Sequence, residues 1–339
     1  MEWDCLEWTM QLMLAAKADG IDSGPMCFIL TMTLVSTFII NEVQKGEITL
    51  MQKPLPAWAI QYLNYIQVPV QQPSYEYLKM ICTAHLNRIP FENISTLMNF
   101  TAYHKQKHLQ QDEQKFVEQL FQHHMGGTCY VINSSLHELL NRLGFHSRYA
   151  LLGGGHVALL VRLPNEQEKM YVDCGNSAPF FEPVRLETDP NQVSHYGGIE
   201  IRLRPGDEPG TYTYHRSVDG EELTEMIWTF DTRITYHFND FQKAIKNYYT
   251  PNGVFTSFLR CQIWQLERQR SLSLVNNVLS IRNSRGQVEK RILANRSEVR
   301  EVINYEFNLP KLPLEQAIDV LEELGVNLFR DQQSRDEAQ

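Results

Sequence analysis

The apolar residues of this 339-residue chain change their spacing near residue 145, and that change limits the folds open to it. Between Pro73 and Leu143 they recur at helical intervals. Ser74 stands where it can cap a helix in which Leu78, Ile81, Cys82, His85 and Leu86 fall at i, i+3, i+4, i+7 and i+8. Phe116, Val117, Leu120 and Phe121 form a second stripe. Ile132, Leu136, Leu139, Leu140 and Leu143 form a third, which Gly144 ends at a C′ position. Beyond Ser147 the signal becomes short runs, at 149–152, 157–163, 170–174, 199–203 and 211–215, set apart by Gly, Pro and Asn clusters. That is the pattern of strands and turns. A helix is predicted over 240–248, more strands between 255 and 299, and a last helix from near Pro313 to a stop at Gly325. Helices first, a closed or curled sheet next and a mixed third part describe an α+β fold.

Composition narrows the class. At 43% hydrophobic and 21% charged the chain has the make-up of a globular protein with a large core. The net charge of −9 comes with no basic stripe, which argues against phosphate-driven nucleic-acid binding. The six cysteines (Cys5, Cys27, Cys82, Cys129, Cys174, Cys261) make no C-x-x-C pair and read as reduced thiols of a cytoplasmic protein. His123 and His124 are adjacent, but no partner at ligand spacing joins them, so no metal is expected.

Residues 1–50 stand apart. Seven acidic side chains face only Lys17 and Lys45 there, and residues 26–40 form a charge-free apolar run of fifteen. A spanning helix wants about 20 such residues, and a signal peptide wants a positive start, so a membrane role is not expected. Met51 opens a segment that reads as an ordinary enzyme N-terminus, and Lys45-Gly46-Glu47 before it matches a translated purine tract of the ribosome-binding kind. Residues 1–50 are therefore read as upstream sequence translated through a misplaced start. The competing account is a genuine extension, unfolded or weakly tethered to a membrane.

The segment Gly126-Gly127-Thr128-Cys129-Tyr130-Val131-Ile132-Asn133 places a cysteine at the first turn of the third helix. Helical N–H groups and the positive dipole end favour a thiolate there, and bare glycines let a substrate approach the backbone. Taken alone, Cys129 reads equally well as a small buried apolar residue. A second segment separates the two readings. His156 opens a strand after Gly153-Gly154-Gly155, and Asp173 ends the next one. A hairpin turning on Pro164-Asn165 sets the two directly opposite, about 5 Å apart at Cβ. The carboxylate then favours imidazolium, and the imidazolium favours the Cys129 thiolate. An Asp inside an apolar strand is otherwise costly.

Four segments in this order resemble the arylamine N-acetyltransferases: Arg88-Ile89-Pro90-Phe91-Glu92-Asn93, Gly126-Gly127-Thr128-Cys129 with Asn133, His156, and Val172-Asp173-Cys174-Gly175. The resemblance covers about residues 55–330 and includes the stretches around Asp240-Phe241 and 255–258. It implies a papain-like or transglutaminase-like core: a helical domain over 51–145, a central β-barrel over 146–235 and an α/β lid over 236–339. It further implies a Cys129–His156–Asp173 triad and ping-pong transfer of acetyl from acetyl-CoA to an arylamine, hydrazine or arylhydroxylamine. Phe91 would line the acyl pocket. Gly126, Gly127, Thr128, Gly154 and Gly155 would contact substrate or CoA, although a plain strand turn explains the last two equally well. Behind this reading stand an amide synthase moving a larger acyl group, a thiol hydrolase or transglutaminase-like enzyme, and a non-catalytic binding protein. Departures from the family pattern flank the nucleophile: Met125 in place of Arg, Val131 in place of Glu or Gln, a shortened link before His156, and Asn176-Ser177 in place of Phe-Gly.

Overall fold

A computed structural model of the chain describes residues 54–106, 109, 111–153 and 155–329. The apolar run 26–40, the question of the start and Gly154 lie outside the described residues.

Among the described residues five helices come first. α1 (Ala57–Ile66) is followed by α2 (Tyr75–Arg88), where the Ser74 hydroxyl accepts from the Tyr77 amide at 3.1 Å, as its position predicted. A two-residue strand, β1 (Phe91–Glu92), precedes α3 (Ile94–Gln106). Asp112 caps α4 (Glu113–His123), and α5 (Cys129–Arg142) ends at Gly144, whose φ of +93° suits glycine. The predicted stripe of α5 (Ile132, Leu136, Leu139, Leu140) is fully buried in one core with Ala150, Val157 and Leu159 of the strands that follow.

Those strands are β2 (His146–Leu152), β3 (His156–Arg162), β4 (Met170–Val172) and β5 (Val184–Arg185), paired antiparallel in that order. A second sheet holds β6 (Val193–Tyr196), β7 (Ile199–Pro205), β8 (Thr211–Val218), β9 (Glu221–Glu222) and β10 (Trp228–Asp231), in the order β10-β8-β7-β6 with β9 on β8. After α6 (Gln242–Tyr248) a third sheet runs through β11 (Arg260–Gln265), β12 (Arg270–Val275), β13 (Val278–Asn283) and β14 (Val288–Ile292). α7 (Arg296–Glu301), a π-helical turn and α8 (Leu314–Glu323) complete the described chain.

One expectation changes here. The central strands do not close into a barrel: the described strands pair as three open sheets. β5 is only two residues long, and the link to β6 turns at Asp189-Pro190, where proline has no N–H to extend a ladder. On the other side one bond, Gly153 amide to Thr229 carbonyl at 3.4 Å, joins the first two sheets. The third part is joined to the helical one. β1 pairs with β11 (Phe91 opposite Gln262, Glu92 opposite Cys261), and Ile94, Leu97 and Met125 are buried in the same core as Leu259, Leu272 and Ile318. Among the described residues no helix is long and apolar enough to cross a membrane.

Candidate active site

Cys129 is the first residue of α5 and Thr128 its N-cap; the Thr128 carbonyl accepts from the amides of Val131 and Ile132 at 3.0 and 2.9 Å. Packing by itself requires the two glycines before it. A Cβ at Gly126 would lie 2.0 Å from the Pro90 carbonyl oxygen, and Gly127 has φ +121°. Their bare backbone lets β1 run against the turn, with Phe91 bridged to Gly127.

His156 and Asp173 meet, but not in the expected register. The β3–β4 ladder pairs Leu159 with Val172 and Val161 with Met170, so Asp173 extends toward Ala158 and His156 is its diagonal neighbour. The tight turn does form at Pro164-Asn165, closed by the Glu166 amide on the Leu163 carbonyl at 3.2 Å. Residues 166–169 then leave the ladder: Glu168 binds Arg185 and the Thr188 amide and hydroxyl, and Gln167 takes Arg162. The shift is two residues, which preserves the face of each side chain. His156 Nε2 therefore still reaches Asp173 Oδ2, at 2.7 Å.

Asp173 is fully buried. Its Oδ2 accepts from His156 and from the Tyr171 hydroxyl at 3.0 Å. Its Oδ1 accepts from Asn133 Nδ2 at 2.9 Å and the Gly175 amide at 3.2 Å. Burial alone would raise this carboxyl, but the charge of His156 and these hydrogen bonds hold it below its ordinary value. Burial likewise opposes the imidazolium. The Asp173 charge and hydrogen bond, reinforced by Cys129, outweigh it and push His156 up to about 10. With Nε2 engaged, Nδ1 is the nitrogen left for the thiol.

Asn133 ties the two halves of the site together. One turn along α5 from Cys129, it donates to Asp173 and to the Val157 carbonyl at 2.7 Å, while its Oδ1 accepts from the amides of Cys174 and Gly175. Gly175 has to be bare, because a Cβ would lie 2.7 Å from both Asn133 Nδ2 and Cys129 Cα. The i, i+4 spacing of Cys129 and Asn133 was visible in sequence. Tyr171, two residues before Asp173 on the same strand face, carried a signal of the same kind. Tyr248 carried none. Its hydroxyl lies 3.7 Å from Cys129 Sγ and donates to the Gly155 carbonyl at 3.0 Å, where the Tyr130 hydroxyl also donates at 2.8 Å.

The Gly155 amide donates to the Leu152 carbonyl at 3.0 Å. Phe91 stands against Phe255, whose ring meets that of Tyr248 at 4.6 Å, which sets Phe91 one ring away from the nucleophile's neighbour. Trp228 lies 5.4 Å from the His156 ring. A cavity of about 960 Å³ lies between α2, β11 and residues 307–310, and its lining includes none of Cys129, His156 and Asp173. A hydrogen bond with Cys82, together with burial, pushes Cys174 far up, and burial does the same to Cys261. Among the described residues no three His, Cys, Asp or Glu side chains gather as metal ligands.

Comparison with known proteins gives a consistent result. The family model described as N-acetyltransferase matches residues 74–314. An arylamine N-acetyltransferase / N-hydroxyarylamine O-acetyltransferase of Salmonella typhimurium is 30% identical over 147 residues, 40% of this chain and 48% of that protein, so the match spans about half of the relative. The fold is that of the Mycobacterium marinum arylamine N-acetyltransferase solved in complex with CoA (TM-score 0.65, 21% identity, 78% of this chain and 99% of that one). It is equally that of the Salmonella typhimurium enzyme (TM-score 0.66, 20% identity, 79% and 99%).

Proposed function

The chain belongs to the N-acetyltransferase family, and from that premise we propose that it is an acyl-CoA-dependent N-acyltransferase with Cys129, His156 and Asp173 as its catalytic triad. The observation that carries the reading is a His156 that lies beside Cys129 and binds an Asp173 held by four donors. A carboxylate so fixed keeps the imidazole oriented and protonated beside the thiol. Acetyl-CoA serves as donor, which the CoA complex of the Mycobacterium marinum relative supports.

In the first half-reaction Cys129 Sγ attacks the thioester carbonyl, the bond to the CoA sulfur breaks, and His156 gives that sulfur its proton. In the second, an arylamine, hydrazine or arylhydroxylamine attacks the acyl-cysteine. His156 takes the incoming proton, and Sγ leaves as thiolate. Residues 51–145 supply the nucleophile, 146–235 supply His156 and Asp173, and 236–339 act as the lid that brings Tyr248 to the thiol, with Phe255 packed on Tyr248.

The test is steady-state kinetics across a panel of acyl-CoA donors and amines. Parallel double-reciprocal lines, lost in Cys129→Ser, are expected. Peptide or ester cleavage without acyl transfer would assign the site to a thiol hydrolase instead.

A further inference from the structure

Two arginines converge on one hydroxyl beside this site. Arg216 Nη1 lies 3.5 Å and Arg260 Nη2 3.2 Å from Ser177 Oγ. Arg260 otherwise meets Gln262 Oε1 at 3.3 Å and the face of Phe91, 5.6 Å from its ring centre. Neither guanidinium has a carboxylate within 4 Å among the described residues, whereas Arg185, Arg233, Arg270, Arg282 and Arg296 all do. The Nε of each is buried with no acceptor, and so are Asn176 Nδ2 and the Tyr214 hydroxyl. Asn176 is only 7% exposed. Burial and the neighbouring charge of Arg216 both disfavour the Arg260 cation. Two mutually repelling cations, ringed by unused donors and sharing one neutral oxygen, are arranged around an anion.

The place of the cluster limits what that anion can be. Ser177 is two residues beyond Gly175, which touches Cys129 Cα, and two residues reach at most about 7 Å. On the other flank Arg216 and Asn176 face Tyr214, whose ring stacks on Trp228 at 5.2 Å, and Trp228 lies against His156. The phosphates of a CoA donor hang beyond the pantetheine arm, too far from the thioester for a cluster this close to the thiol. Asn176 and Ser177 are also the two residues that depart from the family pattern after the aspartate.

We propose that Arg216, Arg260, Ser177 and Asn176 form a subsite for a carboxylate carried by the acyl group or by the acceptor amine. The proposal rests on the acyl-transfer reading above. It makes the chain selective for a dicarboxylic acyl donor or for a carboxylated aromatic amine.

The experiment uses the full chain as wild type, Arg216→Gln, Arg260→Gln and Arg260→Lys, and reads two ratios. One is the rate of Cys129 acylation by succinyl-CoA over acetyl-CoA, followed by intact mass. The other is acetyl transfer from the acyl-enzyme to 4-aminobenzoate over aniline. One ratio should fall by about tenfold or more in each Gln variant, as expected for lost charge-assisted hydrogen bonds. A fall in the first assigns the carboxylate to the acyl group, and a fall in the second assigns it to the amine. Should Arg260→Gln not fold, Arg216→Gln and Arg260→Lys carry the comparison. Both ratios unchanged in all folded variants would overturn the subsite. If no donor acylates Cys129, the acyl-transfer reading fails by itself. The subsite is then read from the melting temperature with succinate or 4-aminobenzoate: saturable stabilisation lost in Arg216→Gln supports it, and none in the wild type overturns it.

Discussion

Asp173 keeps its charge with no solvent contact because four donors close on its two oxygens. An amide in its place turns one acceptor into a donor facing His156 and Tyr171. Asp173→Asn should slow Cys129 acylation by about 10²–10⁴-fold, the usual scale for a disabled acid–base unit, measured by rapid-quench intact mass. The sign of the pH effect follows from the two shifts. The lowered Asp173 contributes stability that is lost only in acid; the raised His156 contributes stability that is lost as pH climbs through about 10. In Asp173→Asn the His156 titration should fall toward neutrality, visible by NMR of the imidazole. Glu92 behaves in the opposite sense to Asp173. It is fully buried, its Oε1 has no partner, and burial raises it to about 7 against the Ser95 hydrogen bonds. Stability from this group is full below about 4.5 and declines as pH rises through 7, by on the order of 3 kcal/mol. Chemical denaturation of Glu92→Gln from pH 4.5 to 8 should show that slope removed; an unchanged slope would mean that Glu92 stays ionised throughout. The grouping of Cys129, His156 and Asp173 was legible because each of them sits at a local landmark: a helix start, a strand start after glycines, a strand end. Tyr248 was not, since 119 residues separate it from Cys129 and its role comes only from packing.

The β3–β4 hairpin shows how far an element can be read in advance. Its turn, its strands and the shared face of His156 and Asp173 follow from alternation and from Pro164-Asn165. The two-residue slip does not, because Glu168 draws its segment toward Arg185 and Thr188, partners from outside the hairpin. The elements around Cys129 also set apart Met125 and Val131, the two apolar residues that stand where the family pattern has charged or amide side chains. Met125 is buried in the core of β11 with Ile94 and Cys261, while Val131 lies against the other core. Cys261 is paired with Glu92, the buried acid that lacks a cation. Met125→Arg should therefore couple to Glu92 and not to position 131. Double-mutant cycles by denaturant unfolding should give about 1–3 kcal/mol between Met125→Arg and Glu92→Gln. With Val131→Glu they should give additivity within about 0.5 kcal/mol. The reverse pattern would mean that positions 125 and 131 act as a pair.

At the scale of the whole described chain, the order of helical, strand and mixed parts was plain from the apolar spacing, and the assembly of those parts was not. Period and turn residues report which face of an element is apolar, but not which distant element covers it. The two-residue β1 had no periodicity to reveal it, yet it joins the helical part to the third sheet and carries Phe91 and Glu92 to the nucleophile's turn. The central sheets stay open for an equally local reason, the short β5 and the proline after it. What this assembly achieves is one buried thiol held between an imidazolium from the first sheet and a tyrosine from α6. The most direct test of the account is the mass of the intact protein after brief exposure to acetyl-CoA without amine. One acetyl group on Cys129, absent in Cys129→Ser and discharged by an added arylamine, is the predicted result. No adduct on Cys129, or a stable acetyl group on Cys174 or Cys261 instead, would contradict it.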